Sequence, residues 1–222
     1  MRGRANGFIL RLSITVAALA FWFWTQALLG ARAAQVQGIG DGLHALTAGA
    51  NEYFQIHAGM ANALLIASSA LIDAFAIFIL LRWLFGRSVR PFLGLAILLL
   101  LRQAMQALCA LPAPEGMIWH YPGFPSLLVT YSVASDFFFS GHTAIAVFGA
   151  TEVARLRNPI LTIVAILVAA VEIVTVIVLR MHYTMDVFTG LIAALWVVQV
   201  AERLSVPIDL RLFGTASAQT PN

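Results

Sequence analysis

Two histidines and a carboxylate stand out in this chain because they lie beside long apolar runs. His142 belongs to the stretch Ser135–Thr143, and His182 and Asp186 belong to the later stretch Arg180–Asp186. Ionisable groups at membrane depth are costly, so such residues are candidates for a functional site. On a helix, residues four apart share one face, and Asp186 could then hold one imidazole nitrogen of His182. The other nitrogen would be left to attack or to accept a proton.

The chemistry of these three residues permits three interpretations. In the first, His182 is a nucleophile oriented by Asp186, and His142 protonates the leaving oxygen and later activates the incoming hydroxyl. In the second, two histidines and one carboxylate bind a metal. In the third, the polar side chains join helices inside the membrane. The first is favoured, because three such residues converge on one leaflet and the chain has few other histidines to complete a metal site.

Long apolar runs must position these residues. The chain has 222 residues, of which 61% are hydrophobic and 10% are charged. Six runs approach the ~20 residues that cross a bilayer as a helix. Because they lack polar alternation, we expect an all-α integral membrane protein, a six-helix transmembrane bundle, rather than a barrel. The runs are Leu12–Leu29, Met60–Leu81, Pro91–Leu111, Phe137–Val153, Ile160–Leu179 and Tyr183–Val200.

The placement of the arginines predicts the orientation. All 13 basic residues are arginine, and all but Arg32, Arg102 and Arg180 fall on one side of the six-span arrangement. The positive-inside rule therefore places both termini in the cytoplasm and the two histidines in the outer leaflet. The formal charge of +3 reflects the same bias. Since no contiguous basic patch exists, it does not indicate nucleic-acid binding.

Three regions follow from this arrangement. Residues 1–11 form a basic cytoplasmic leader, residues 12–204 form the membrane catalytic domain, and residues 205–222 form a polar tail for which we expect disorder. The first apolar run exceeds the length usual for a signal peptide, so we expect its helix to be retained.

The two outer segments differ in composition. Apolar residues at helical spacing in residues 34–59 predict a short helix on the membrane surface, and His44 and His57 are interpreted as exposed loop histidines. Residues 112–136 contain four prolines, which exclude long helices. Trp119 in this segment suits the headgroup level, and both a lid over the site and an interfacial anchor remain open.

Polar residues beside the histidines are candidates for phosphate binding. Ser140, Gly141 and Thr143 would offer hydroxyl and backbone N–H groups at the start of the fourth run, if a helix begins there. Arg102 lies inside the third run. It is either a bidentate phosphate ligand or the partner of a buried carboxylate, Asp73 or Glu172.

The motifs resemble those of a known family. Ser-Gly-His-Thr at 140–143, followed by His-Tyr-Thr-x-Asp at 182–186, is similar to the paired motifs of sphingomyelin synthases and related phosphocholine transferases. These form a branch of the type 2 phosphatidic acid phosphatase superfamily. The likeness covers residues 98–187 and includes Asp136 before the serine, and Leu-Arg at 101–102 before Leu-Pro-Ala-Pro at 111–114.

The resemblance implies specific roles. His182 forms a phosphohistidine, Asp186 orients it, and His142 serves the leaving and incoming groups, without a metal or other cofactor. The wider superfamily usually carries a lysine in its phosphate-binding segment, but this chain has no lysine. We therefore expect Arg102, Arg180 or backbone groups to meet the phosphate charge, with Asp136 at the substrate site.

Together these features predict a membrane lipid phosphotransferase. It would cleave a phospholipid headgroup on the extracytoplasmic or lumenal side and pass it to a lipid hydroxyl such as that of diacylglycerol or ceramide. One alternative is a lipid phosphate phosphatase, in which water is the acceptor. Another is a noncatalytic lipid-binding or carrier protein. The expected partners are the phospholipid, its acceptor and the bilayer, and the sequence does not indicate an oligomeric state.

Overall fold

Every regular element in the described part of the chain is a helix. The computed structural model describes residues 2–31, 39–131 and 137–214. The predicted all-α class is confirmed for these residues. The helices are α1 (Arg2–Gly30), α2 (Gly42–Leu46), α3 (Ala48–Ile56), α4 (Ala58–Phe85), α5 (Arg90–Leu108), α6 (Gly141–Ala154), α7 (Pro159–Val178) and α8 (Thr184–Phe213).

Five of these helices, α1, α4, α5, α7 and α8, are long and apolar enough to cross a membrane. The sixth predicted span corresponds to α6, which has only 14 residues. Its length of about 21 Å falls short of the ~30 Å hydrocarbon core of a bilayer. The structure thus supports a helical membrane bundle with five full-length candidate spans in its described residues, rather than six equivalent ones.

The short helix α6 lies at the centre of the bundle, between α4, α7 and α8. Small residues allow this close packing. A Cβ atom on Gly149 would come within 2.4 Å of the Phe75 ring on α4, and a Cβ atom on Gly94 of α5 would come within 2.3 Å of the buried Phe148 ring. Neighbouring helices therefore cover α6 on most of its surface, and it does not need to face lipid along a full span.

One end of the bundle, which we call the site end, carries the chain segments that matter for function. Helices α1, α5 and α7 finish there, and α4, α6 and α8 begin there. A helix was predicted in residues 34–59, and two short helices, α2 and α3, lie there and meet at Thr47. Residues 109–131 contain no helix, as the prolines predicted.

Ion pairs hold the opposite end together. Glu152 of α6 is completely buried and binds Arg90 at the start of α5, with Nη2 2.9 Å from Oε2. Arg155 lies 3.8 Å from the same carboxylate and 2.7 Å from Glu202 of α8. Arg11 of α1 donates to the carbonyls that end α4. Glu152 thus links α6 to α5, and Arg155 extends the pairing to α8.

The prediction of a disordered tail from residue 205 is wrong for its first part. Helix α8 continues to Phe213, past Pro207. Asp209 in this extension is buried and accepts a hydrogen bond from the Val89 amide at 2.8 Å. This tertiary contact stabilises a segment whose composition alone suggested a polar end, whereas residues 215–222 lie outside the described ones.

Candidate active site

His182 lies in the turn between α7 and α8, two residues before α8 begins. The prediction that His182 and Asp186 share a helical face is therefore wrong. Nδ1 of His182 lies 2.7 Å from the main-chain carbonyl oxygen of Phe137, and 3.9 Å from Oδ2 of Asp186. Since a carbonyl only accepts, Nδ1 carries the hydrogen in this arrangement. The Phe137 carbonyl, rather than the Asp186 carboxylate, makes the contact that fixes the tautomer.

Asp186 instead ties together the two motif segments. It is completely buried, and its Oδ2 accepts a hydrogen bond from the Tyr183 amide at 2.9 Å. This bond satisfies one of the amides that a helix start leaves without a partner. The main-chain carbonyl of Asp186 accepts from the Ser140 amide at 3.0 Å. Asp186 thus fixes both the turn after His182 and the position of the α6 start.

His142 is the second residue of α6 and faces His182. The two ring centroids are 6.4 Å apart, and the Trp119 ring meets His142 edge to face at 5.7 Å. Both histidines are buried. Nε2 of His142 has no hydrogen-bond partner among the described residues. This nitrogen is therefore suitably placed to exchange a proton with a substrate oxygen between the rings.

Ser140 caps helix α6. Its Oγ accepts from the Thr143 amide at 3.3 Å and donates to Thr143 Oγ1 at 3.0 Å, and both side chains are completely buried. Their hydroxyls are thus used within the cap and do not border the cavity. Of the three residues predicted to bind phosphate at this helix start, Ser140, Gly141 and Thr143, only Gly141 lines the cavity that both histidines border. The amides of the first turn give this helix end a partial positive charge, which favours an anion.

Arg102 reaches the same place from α5. Its side chain is buried, donates from Nη1 to Gln26 Oε1 at 2.9 Å, and stacks 5.2 Å from the Trp22 ring centroid, so α1 contributes two of its contacts. It also passes directly over the α6 start. A Cβ atom on Gly141 would come within 2.9 Å of Arg102 Nε. Glycine at this position lets the guanidinium and the helix start approach the same point.

Neither Asp73 nor Glu172 pairs with Arg102, so both predicted ion pairs are wrong. Asp73 accepts hydrogen bonds from Ser126 Oγ at 2.9 Å and from the Leu127 and Leu128 amides at 2.7 and 3.1 Å. Glu172 accepts from Ser68 Oγ at 2.5 Å. Asp73 therefore anchors the segment between α5 and α6 to the bundle, which is a structural role.

A largely apolar cavity of about 580 Å³, including its open mouth, joins these groups. Arg102 and both histidines border it together, whereas most of the wall can contact lipid chains. The lining residues are Trp22, Ile72, Leu99, Arg102, Trp119, Leu128, Val129, Thr130, Phe137, Gly141, His142, Ile145, Met181 and His182.

Arg180, another predicted site residue, does not line this cavity. Arg180 donates from Nη1 to the Glu115 carbonyl at 2.6 Å and from Nη2 to the His44 carbonyl at 3.5 Å. It therefore holds the turn before His182 to the neighbouring segments. Asp136 lies outside the described residues.

The interpretation of His44 as an exposed loop histidine is wrong. It is buried, and its Nε2 lies 3.0 Å from the main-chain carbonyl oxygen of His182. His57 is exposed, as predicted. No sequence pattern indicates the contact made by His44, although Asp41 three residues earlier is a typical helix-capping residue. Within the described ranges, no group of three or more His, Cys, Asp or Glu residues is placed to hold a metal ion.

A family model matches most of the chain. The model of the family described as AtPDCT1/2, a phosphatidylcholine:diacylglycerol cholinephosphotransferase family, matches residues 41–203. Neither the curated proteins nor the solved structures contain a match to this chain. The matched range starts at the Asp41 cap and includes Arg102, both histidines and Asp186.

Proposed function

The chain belongs to the AtPDCT1/2 family, and on that basis we propose that it transfers phosphocholine from phosphatidylcholine to diacylglycerol within the membrane. At the coarser level, the family assignment makes it a membrane lipid phosphotransferase. The observation that carries the finer proposal is the convergence of His142, His182 and Arg102 on one apolar cavity. A reactive nitrogen, a proton carrier and a phosphate-binding cation are thus available to one lipid headgroup.

In the proposed first step, Nε2 of His182 attacks the phosphorus of phosphatidylcholine. The bond between phosphorus and the diacylglycerol oxygen breaks, and His142 gives that oxygen a proton. Phosphocholine is then held on His182 through an N–P bond. In the second step, another diacylglycerol gives its hydroxyl proton to His142 and attacks phosphorus, which breaks the N–P bond. The tautomer with hydrogen on Nδ1, fixed by the Phe137 carbonyl, supports this assignment.

The phosphate oxygens gain negative charge as the nucleophile attacks. Arg102 and the positive end of α6 meet at Gly141, and both favour an anion there. Because the cavity is mostly apolar, their interaction with the phosphate is screened less than it would be in water. This arrangement replaces the lysine that the wider superfamily uses. The similarity of motifs to sphingomyelin synthases supports the same chemistry, with no metal required.

The remaining walls of the cavity suit the two ends of the substrate. Trp119 borders the cavity beside His142, and an indole ring attracts a quaternary ammonium group such as choline. Ile72, Leu99 and Ile145 offer contacts to glycerol and acyl carbons. Trp22 and Gln26 of α1 complete the site, Trp22 as part of the cavity wall and Gln26 through its bond to Arg102.

We propose that the site end faces the extracytoplasmic or lumenal leaflet. The opposite end carries Arg11, Arg90 and Arg155. By the positive-inside rule this end faces the cytoplasm, with both termini on that side. The two histidines would then lie close to the headgroups of the other leaflet, where phosphatidylcholine can reach them from the bilayer.

The same type of phosphoester bond is broken and formed, so the reaction should run in both directions. We expect purified protein in liposomes to convert added diacylglycerol of distinct chain length into phosphatidylcholine carrying those chains. One original diacylglycerol should appear for each new phosphatidylcholine, as measured by mass spectrometry. His182→Ala should abolish this exchange.

Parallel incubations separate the alternatives. Phosphocholine released into water, without new phosphatidylcholine, would identify a hydrolase. Formation of sphingomyelin from added ceramide, with diacylglycerol unused, would identify the activity as that of a sphingomyelin synthase. Lipid turnover that is unchanged in His182→Ala would refute the proposed catalytic site and leave a carrier or binding function.

A further inference from the structure

We infer that helix α2 is a clamp that positions the nucleophile, and that Asp41 and His44 are its positioning residues. The clamp consists of these two side chains and the backbone of residues 182–184, which they hold. This inference rests on the proposed function, because it assigns the clamp's effect to His182. It adds residues that lie far from both sequence motifs along the chain.

The Asp41 carboxylate caps two helices at once. Oδ1 accepts hydrogen bonds from the Leu43 and His44 amides, at 2.9 and 3.2 Å, and so begins α2. The same carboxylate accepts from Thr184, the first residue of α8, through Oγ1 at 2.6 Å and through the amide at 2.6 Å. One side chain thereby fixes the start of α8 to the start of α2.

His44 holds the residue before that start. Its Nε2 donates to the His182 carbonyl at 3.0 Å, and its ring stacks on Tyr183 with centroids 5.7 Å apart. Both side chains are buried. Three consecutive residues, 182 to 184, are therefore each contacted by α2.

The charge of Asp41 fits this role. Burial alone would raise the pKa of its carboxyl group, but hydrogen bonds from the Thr184 hydroxyl, the Thr184 amide and the His44 amide lower the pKa below its ordinary value. The carboxylate thus stays ionised at neutral pH. An ionised acceptor makes stronger hydrogen bonds than a neutral one.

The turn that bears His182 needs such support. It follows Arg180, whose φ of 53° is unusual for a residue other than glycine. His182 itself precedes α8, so helical hydrogen bonds do not fix its backbone. A displacement of about 1 Å at a reacting group can cost on the order of 100-fold in rate. A clamp on the backbone at 182–184 therefore sets how well the ring meets phosphorus.

Matched variants of the full-length protein test the clamp in the exchange assay. Thr184→Val removes the hydroxyl, and Thr184→Ser keeps it. His44→Leu removes the donor, and His44→Gln keeps an N–H near the same position. Thr189→Val and His57→Leu are controls, because these residues bond locally to the Met185 and Tyr53 carbonyls, and Thr189 is only partly buried while His57 is exposed.

We expect Thr184→Val and His44→Leu to lower kcat by roughly 10- to 100-fold while KM for phosphatidylcholine stays nearly constant. The serine and glutamine variants should recover most of the rate, and the controls should behave as wild type. Unchanged kcat in both loss variants would overturn the clamp. Equal losses in the serine and glutamine variants would also overturn it, because they would indicate general damage.

A second readout does not depend on the activity. Diethyl pyrocarbonate modifies accessible imidazoles. The intact, folded protein is treated with it, and the rate of modification at His182 is then measured by mass spectrometry of the peptides. We expect the loss variants, and not the controls, to speed modification several-fold. If wild type shows no lipid exchange, the proposed function fails. The rate of modification at His182 is then the measurement that tests the clamp. A rate unchanged from wild type then overturns it.

Discussion

His182 owes its orientation to a main-chain group. The hydrogen on Nδ1 is directed to the Phe137 carbonyl, whereas the Asp186 carboxylate is 3.9 Å from the same nitrogen. In the Ser-His-Asp triad the aspartate performs two tasks: it sets the tautomer of the histidine, and it stabilises the imidazolium that forms. Here the first task falls to a carbonyl. The negative charge of Asp186 can still contribute to the second.

This division predicts a limited effect of Asp186→Asn. The asparagine oxygen can still accept from the Tyr183 amide, so the fold should be retained. The lost negative charge should lower kcat by about 100-fold, less than the ~10⁴-fold loss when a triad aspartate that sets the tautomer is replaced. Single-turnover kinetics with circular dichroism as a folding control would measure this. A loss near 10⁴-fold would assign tautomer control to Asp186, and an unchanged rate would remove it from the mechanism.

At this scale the sequence predicted some residues better than others. His142, His182 and Arg102 were identified because charged or titratable groups inside apolar runs are costly, and the structure brings them to one cavity. The Phe137 carbonyl could not be found this way, since every residue has one. Arg180 has the same chemistry as Arg102, but long-range packing directs it to the Glu115 carbonyl.

Helix α6 is the element on which the site is built. It brings His142 and its own positive end to the cavity, and its Gly141 lets Arg102 pass over that end. The helix is short, buried and rich in small residues, so it can be rigid without spanning the bilayer. Its position between α4, α7 and α8 aligns the first motif with the second.

Gly141→Ala tests this packing. Alanine is the better helix former by up to about 1 kcal/mol, so propensity alone would favour the variant. Its Cβ, however, would come within 2.9 Å of Arg102 Nε and displace the guanidinium. We expect KM for phosphatidylcholine to rise and kcat to fall, together by about 10-fold or more in kcat/KM.

Gly59→Ala, at the start of α4, is the matched control, because a Cβ atom there meets nothing within 4 Å. It should leave both constants unchanged. Wild-type kinetics in Gly141→Ala would show that Arg102 does not contact the phosphate at the α6 start.

The long helices were predictable from the sequence, but their ends were less so, since α1 begins at Arg2 rather than Leu12 and α8 ends at Phe213 rather than Val200. Apolar runs marked every long helix, since burial in lipid and packing both require apolar side chains. The composition after residue 204 indicated disorder, yet the bond from the Val89 amide to Asp209 keeps α8 helical to Phe213. Similarly, α2 packs on the start of α8 through Asp41. Contacts between distant segments leave no periodic signal in the sequence.

Across the whole molecule, the two ends of the bundle have different roles. Ion pairs centred on Glu152 fasten the opposite end, where α5, α6 and α8 meet. At the site end the connecting segments are joined by hydrogen bonds, among them those from Arg180 and those to the single carboxylates Asp41 and Asp73. The ion pairs thus fix one end of the bundle. A lipid headgroup would bind at the other end, where loops and short helices lie around the cavity.

Trapping of the covalent intermediate tests the central claim most directly. Protein mixed rapidly with phosphatidylcholine labelled at phosphorus, without added diacylglycerol, should be quenched in alkali, because an N–P bond is labile in acid. We predict that label appears on His182 in the first turnover, leaves as phosphatidylcholine when diacylglycerol is added, and is absent from His182→Ala. Normal exchange with no label on His182 at any quench time would contradict the account.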